Sequence, residues 1–292
     1  MAFNLTNLEK YVDEQRLPLI KKSVLGGKTI GMIGLQTGVK GSAALNLVNI
    51  TPTIQAGACG FNAQGDTTLS QRVIATKNLK VNLEWCDKDL LNYWCGFEAK
   101  ASATGEKMPF EEYFTTAIVE GINENMEKMV WTGDAENDNE CDGILKVLEG
   151  AEGVVTANGT GAHAAIKATY SAIPVAVLPK AVIFVGADTF RSFMLEMVEK
   201  NYYHYAADGA AVQEFVLPGT NTKVVAVNGL NGTKKVVAAA PENLFYGCDM
   251  LDDAENFDLF YSKDNRTWRC VASWNAGTQV AYPNEVVVGT IA

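Results

Sequence analysis

The chain is poor in the residues that carry chemistry or grip a polyanion. Only two histidines, His163 and His204, stand among its 292 residues. No spacing ties either to a nucleophile, and triads are recognised by geometry rather than by sequence separation. The six cysteines (Cys59, Cys86, Cys95, Cys141, Cys248, Cys270) are scattered, with no C-x-x-C pair. That pattern speaks against a zinc site and for reduced, mostly buried thiols in a cytoplasm. Cations are short as well: 24 Lys and Arg face 34 Asp and Glu, a net charge of −10, and no basic run exceeds Lys21-Lys22 or Lys234-Lys235. Tight nucleic-acid binding needs clustered cations and is excluded, which leaves at most non-specific contact. No apolar run approaches a membrane span, and the first ten residues lack the basic and apolar regions of an export signal. The 48% apolar content, in turn, excludes wholesale disorder.

What the chain does have is concentrated between Leu69 and Leu148. Leu79, Val81, Leu83 and Trp85 fall at every second residue with Asn78, Lys80, Asn82 and Glu84 between them, the period of a half-buried strand. Pro109 then opens a helix read to about Trp131. Phe110, Phe114, Ile118, Ile122 and Met126 recur every fourth residue, Tyr113 and Met129 widen the stripe, and Gly133 closes it. Such a helix would be about 34 Å long. Its stripe predicts a cover over a sheet, with Trp85, Trp94 and Trp131 near enough in sequence to join it.

On either side the text changes. Thr6 and Glu9 form a capping-box pattern ahead of Leu8, Tyr11 and Val12. Residues 23–53 carry Gly, Ala, Thr and isolated aliphatics, too sparse for a core of their own, so 1–35 reads as an arm lying on something else. Leu45–Gln55 and Thr67–Thr76 read as two extended limbs around a Gly-rich tip, Gly57–Asp66. An isolated ribbon of this kind is marginal in water and persists when packed on a partner. Beyond Gly143 we expect a short element at 144–149, a Gly/Ala-rich loop at 150–165 and a helix at 166–173. A buried strand at Ala181–Val185 follows, then a helix capped by Asp188. Strands Lys223–Val227 and Lys235–Ala239 flank a turn at Asn228–Thr233. Finally, Phe257–Tyr261, Trp268–Trp274, Gln279–Tyr282 and Glu285–Val288 suggest a meander.

Two segments invite a chemical reading. Asn158–Ala164 contains G-x-G-x-x-A through Gly159 and Gly161, but the preceding strand is only Val154-Val155 and no acidic ribose partner follows at the right distance. It reads as a flexible loop. The acidic turn Asp134–Asp142 fails the order of a calcium loop, because Asn139 stands where Gly is needed. It reads as a solvated turn.

The order of parts (arm, extended limbs, strand, long helix, Gly133-Asp134, then Gly143-Ile144-Leu145, and a closing Pro241–Gly247 to Tyr282-Pro283 segment) resembles the HK97-fold major capsid proteins of tailed bacteriophages. The resemblance implies an α+β HK97-like fold. Its parts would be an N-terminal arm (1–35), an extended loop region (36–76), a peripheral domain with a long spine helix (77–142 and 246–292) and an axial α/β domain (143–245). It implies a structural protein rather than an enzyme, assembling into pentamers and hexamers of an icosahedral shell around double-stranded DNA. It implies no catalytic residue, cofactor or metal. The implied partners are further copies of itself, a portal, a separate scaffold, decoration proteins and non-specific contact with packaged DNA, with no membrane. The implied location is the virion capsid, assembled in the host cytoplasm. Some members join a Lys to an Asn covalently, but no position here matches that chemistry specifically. Two alternatives remain: an encapsulin-like nanocompartment shell, and a soluble nucleotide-binding α/β enzyme using the Gly159–Gly161 loop.

Overall fold

The computed structural model describes residues 11–12, 15, 19, 22–57, 59–61, 63–86, 88–90, 92–93, 110–200, 214–249 and 257–292. In chain order the elements are β1 (Gly34–Thr37), β2 (Ser42–Pro52), β3 (Gly65–Ala75), β4 (Lys77–Cys86), α1 (Phe110–Thr132), α2 (Ile144–Glu149), β5 (Val155–Gly159), α3 (Ala162–Ala172), β6 (Val182–Gly186) and α4 (Ala187–Glu199). Then come β7 (Glu214–Val216), β8 (Lys223–Val227), β9 (Lys235–Ala239), β10 (Leu244–Cys248), β11 (Phe257–Ser262), β12 (Thr267–Val280) and β13 (Val287–Ile291).

The first sheet is organised by β12, whose length lets it pair β11 and β4 along one half and β10 along the other. Period-2 patterning fixes its register: Leu79 stands opposite Trp274 and Trp85 opposite Trp268, so the apolar set of both strands faces one side. α1 lies on that side. Ile118, Ile122, Met126 and Met129 are buried along it, and Phe114 meets Trp85 edge-on with ring centroids 5.0 Å apart. Tyr113, expected to widen the stripe, is exposed instead. Pro109 and Trp94 lie outside the described residues, as do Thr6, Leu8, Glu9 and His204.

The helix ends where the backbone doubles back. Gly143 N–H donates to the Gly133 carbonyl at 2.9 Å, and a Cβ on Gly133 would sit 2.3 Å from the Cys141 carbonyl oxygen. Only glycine permits that approach. Just before this turn, Trp131 packs on Phe184, 5.2 Å between ring centroids, so it joins α1 to the second sheet rather than to the first.

The second sheet runs β5-β13-β9-β6-β8-β7. Its central strands are apolar on both faces. Ile183, Val185, Val224 and Val236 pack under α3 and α4, while Phe184, Val225 and Val237 join the core beneath α1. This double burial explains the unbroken aliphatic runs.

Four expectations need correction. β8 and β9 do not form a hairpin, because β6 pairs with both and lies between them. The turn 228–233 instead crosses the start of α4, where Asn231 Oδ1 accepts from Ala187 N–H at 2.6 Å and Asp188 Oδ2 accepts from Gly232 N–H at 2.9 Å. Asp188 therefore sits inside the first turn, with Gly186 as the cap. The segment 150–165 is not one loop, since it holds β5 and the start of α3. The closing meander forms only in its first turn: β11 pairs antiparallel with β12 as expected, but β12 is a single strand to Val280, and β13 pairs β5 and β9 in the second sheet. Within 246–292, β13 therefore belongs by pairing to the second sheet and β11 and β12 to the first.

The arm reading also changes. Val12, Leu19, Val24, Ile30 and Ile33 are buried in the chain's own main core. Thr29 supplies the reason. Its N–H donates to both carboxylate oxygens of Glu127 on α1, at 3.2 and 3.1 Å, its hydroxyl donates to the same carboxylate, and Trp131 Nε1–H donates to Thr29 Oγ1 at 2.7 Å. Lys28 Nζ reaches the Ala226 carbonyl of β8 at 3.1 Å.

Candidate functional site: an outlying ribbon

β2 and β3 pair only with each other, from Ser42 opposite Ala75 to Pro52 opposite Gly65. Eleven paired residues at about 3.4 Å each carry the tip about 35 Å from the root. The limbs read from the sequence, Leu45–Gln55 and Thr67–Thr76, match this hairpin closely.

The root is fixed by close packing. Ile74 is fully buried and lies over Gly247, where an added Cβ would stand 2.8 Å from its Cγ2. On β12, a Cβ at Gly277 would fall 2.2 Å from the Ala75 carbonyl oxygen. Gln279 Nε2 donates to the Val73 carbonyl at 2.7 Å. The ribbon therefore leaves the body in a defined direction.

Alternation then sorts its side chains. Even-numbered residues of β2 share a face with odd-numbered residues of β3, which sets Val48 directly across from Leu69, Ala44 across from Val73 and Ile50 across from Thr67. Val48, Ile50, Leu69 and Val73 are all exposed, Leu69 at 73%. At the centre of this face Gln71 Nε2 donates to Asn46 Oδ1 at 2.7 Å. Two more large apolar residues stand at the tip, Ile54 and Phe61, 98% and 97% exposed. Single exposed apolar residues need no explanation, but six gathered on one projecting element mark a contact surface.

The segments weighed for chemistry have other occupations. β5, Gly161 and α3 do make a strand–turn–helix, the frame a dinucleotide fingerprint requires. The helix N-terminus, however, is filled from within: Glu196 accepts from Ala162 N–H at 2.9 Å and from His163 N–H at 3.2 Å. A carboxylate of the chain thus stands where a phosphate would have to bind. The His163 ring lies nearly parallel to Phe193, 6.1 Å between centroids, and burial, then Lys200, lowers its pKa. In the acidic turn the carboxylates of Asp134, Glu136, Glu140 and Asp142 are likewise engaged within the chain. Asp134 accepts from Glu136 N–H and from Lys146 Nζ, both at 3.0 Å, and Asp142 accepts from Ala135 N–H at 2.9 Å. The Glu136 amide and then Lys146 hold the Asp134 carboxyl below its ordinary range. Among the described residues no group of acidic, His and Cys side chains could hold a metal ion, and no helix is long and apolar enough to cross a membrane. Cys141, Cys248 and Cys270 are buried, with burial pushing the Cys141 and Cys270 thiols up to about 12, whereas Cys59 and Cys86 are exposed.

No family model matches this sequence, and no curated protein matches it either. Solved structures do. The capsid of a native GTA particle superposes with a TM-score of 0.62 at 11% identity, covering 93% of this chain and 91% of the other. The procapsid of satellite phage P4 gives 0.62 at 12% identity, covering 100% and 92%. Mycobacterium phage Che8 gives 0.52 at 16% identity, covering 90% of each. This is the HK97-like capsid fold. The likeness extends over nearly the whole of each chain, so the ribbon, the long α1 and both sheets belong to one shared architecture. At such low identity it is the backbone plan that is shared, not individual residues.

Sequence reading overlooked the Thr29–Glu127–Trp131 network and the Glu196 cap. Both join residues far apart in the chain, and no local pattern signals them. The tip was seen as Gly-rich, but Ile54 and Phe61 within and beside it were the more telling residues.

Proposed function

We propose that the chain is the major structural subunit of an icosahedral shell, self-assembling into pentamers and hexamers that enclose double-stranded DNA, and that it is not an enzyme. One observation carries the reading. A chain whose fold is that of capsid subunits projects a ribbon about 35 Å long with an apolar face that its own body leaves uncovered. Burying that face on an identical copy makes a head-to-tail contact, which closes into rings when the rotation allows. The acidic balance of the chain would keep enclosed DNA mobile rather than bound, and portal, separate scaffold and decoration proteins would complete the particle. The first sheet with α1 would form the peripheral domain of each subunit and the second sheet, including β13, the axial one. Assembly in the host cytoplasm accords with three buried thiols and no described disulfide.

Electron microscopy of the purified chain tests this directly. Closed shells are expected, and a stable monomer or dimer at shell-forming concentrations would defeat the proposal. A nanocompartment is the second reading, favoured by a TM-score of 0.51 to the virus-like particle from Pyrococcus furiosus over 94% of this chain. Particles isolated from the native source decide between the two by holding DNA or a cargo protein.

A further inference from the structure

β4 is an edge strand. One side pairs with β12 along its whole length, from Lys77 opposite Ala276 to Cys86 opposite Thr267, and among the described residues no strand takes the other side. Its side chains are open as well. Asn78, Lys80, Asn82 and Glu84 are exposed, and Leu83, on the apolar side, is 36% exposed where Leu79 is buried. A long bare edge is a template for another strand unless something guards it. A lone Lys is the usual guard, but here Lys80 is answered by Glu84 further along the same face.

We propose that β4 pairs antiparallel with β4 of a second copy across a two-fold axis, joining the two first sheets into one. Charge selects the register. Centred on Asn82, the pairing sets Lys80 opposite the second copy's Glu84 and Glu84 opposite its Lys80. On the other face it sets Val81 across from Leu83 and Leu79 across from Trp85, which covers the exposed Leu83. Centred on Val81 or on Leu83 instead, both ion pairs are lost. Registers centred between residues would set apolar side chains against polar ones. Opposite charges directly across an antiparallel pair stabilise it and like charges oppose it. Glu84 has an oxygen to offer, because Thr267 and Arg269 both donate to its Oε1. The inference rests on the shell reading for its place. Neighbours around a ring meet head to tail, so a self-complementary contact must join one ring to the next.

Asn82 would stand opposite its own counterpart, which makes the test a simple one. In a chain carrying Cys59→Ser and Cys86→Ser, Asn82→Cys particles are oxidised and run without reductant. A single band at the mass of a dimer is expected, with no higher multimers, because each new thiol has one partner. Lys80→Glu sets like charges opposite each other twice and should lower that band several-fold, while Lys80→Arg should keep it. Should Asn82→Cys prevent assembly, Asn78→Cys with Cys86 retained places a second thiol pair in the same register and should give the same dimer. Particles with no dimer band, with a ladder of higher multimers, or with a band indifferent to Lys80→Glu would overturn the edge contact and spare the shell reading. Failure of the unaltered chain to form particles would remove both.

Discussion

Residues 22–35 and the ribbon of β2 and β3 share a texture of small residues and isolated aliphatics, yet the first turns inward and the second stays out. In the inner stretch Val24, Ile30 and Ile33 reach the main core, and Thr29 is tied to Glu127 and Trp131 of α1. In the ribbon the body holds the root half, through Ile74, Leu47, Gln279 on the Val73 carbonyl and Tyr282 Oη on the Val48 carbonyl, while the side chains of Val48, Ile50 and Leu69 face solvent. The difference lies in where hydrogen-bonding demand is met. The inner stretch makes only short-range helix and turn bonds of its own, such as Gly31 N–H to the Gly27 carbonyl, and completes a buried carboxylate on the body. The ribbon satisfies its backbone internally along eleven pairs and can leave the body. An outlying segment is therefore better recognised by self-sufficient pairing with an unmet apolar face than by sparse composition.

The largest effect expected from breaking this contrast is that of deleting residues 1–30. It removes Val12, Leu19, Val24 and Ile30, all buried, at roughly 2–5 kcal/mol for each aliphatic side chain lost. That sum rivals a whole domain's stability. Calorimetry should show no cooperative transition; a folded, assembly-defective product would restore the picture of a detached arm. Thr29→Val is next. It removes the hydroxyl donor to Glu127, though not the backbone N–H, and the acceptor of Trp131 Nε1, and should cost about 2–3 kcal/mol in denaturant unfolding, with a loss under ~0.5 kcal/mol counting against the network.

The pH dependence sharpens the same point more gently. Burial raises the Glu127 pKa above its ordinary value, partly offset by the hydrogen bonds from Thr29 and the charge of Lys28. The folded state thus holds this proton more tightly than the unfolded chain. Its contribution is full below the ordinary Glu value and is lost as pH rises through the raised one. Against Glu127→Gln, the native chain should therefore lose stability across that window as pH rises, while the slopes of other carboxylates cancel in the comparison. A difference in melting temperature that stays flat with pH would contradict the assignment. The smallest effect on stability belongs to Val48→Asp with Leu69→Asp. On an exposed face each should stay within about 0.5 kcal/mol, and unfolding curves of the unassembled protein can check this.

Legibility in the sequence followed the range of the interactions. β4, α1 and the ribbon are set by local periodicity and by turns, so Leu79–Trp85, Ile118–Met129 and the two limbs could be read directly. β5 could not: Val155–Gly159 has little apolar content and becomes a strand by pairing with β13, which lies at the far end of the chain. The false hairpin at 228–233 has the same origin, because β6 enters between two strands that look adjacent. As for the candidate site, the ribbon's existence was plain, but which residues face outward depends on register.

The account turns on whether the ribbon's apolar face joins copies together. Sedimentation velocity of the Val48→Asp, Leu69→Asp protein beside the unaltered chain tests this most directly. The expected result is shell-sized particles for the unaltered chain and folded, slowly sedimenting subunits or small rings for the variant. Shells of normal size and yield from the variant would contradict the central claim.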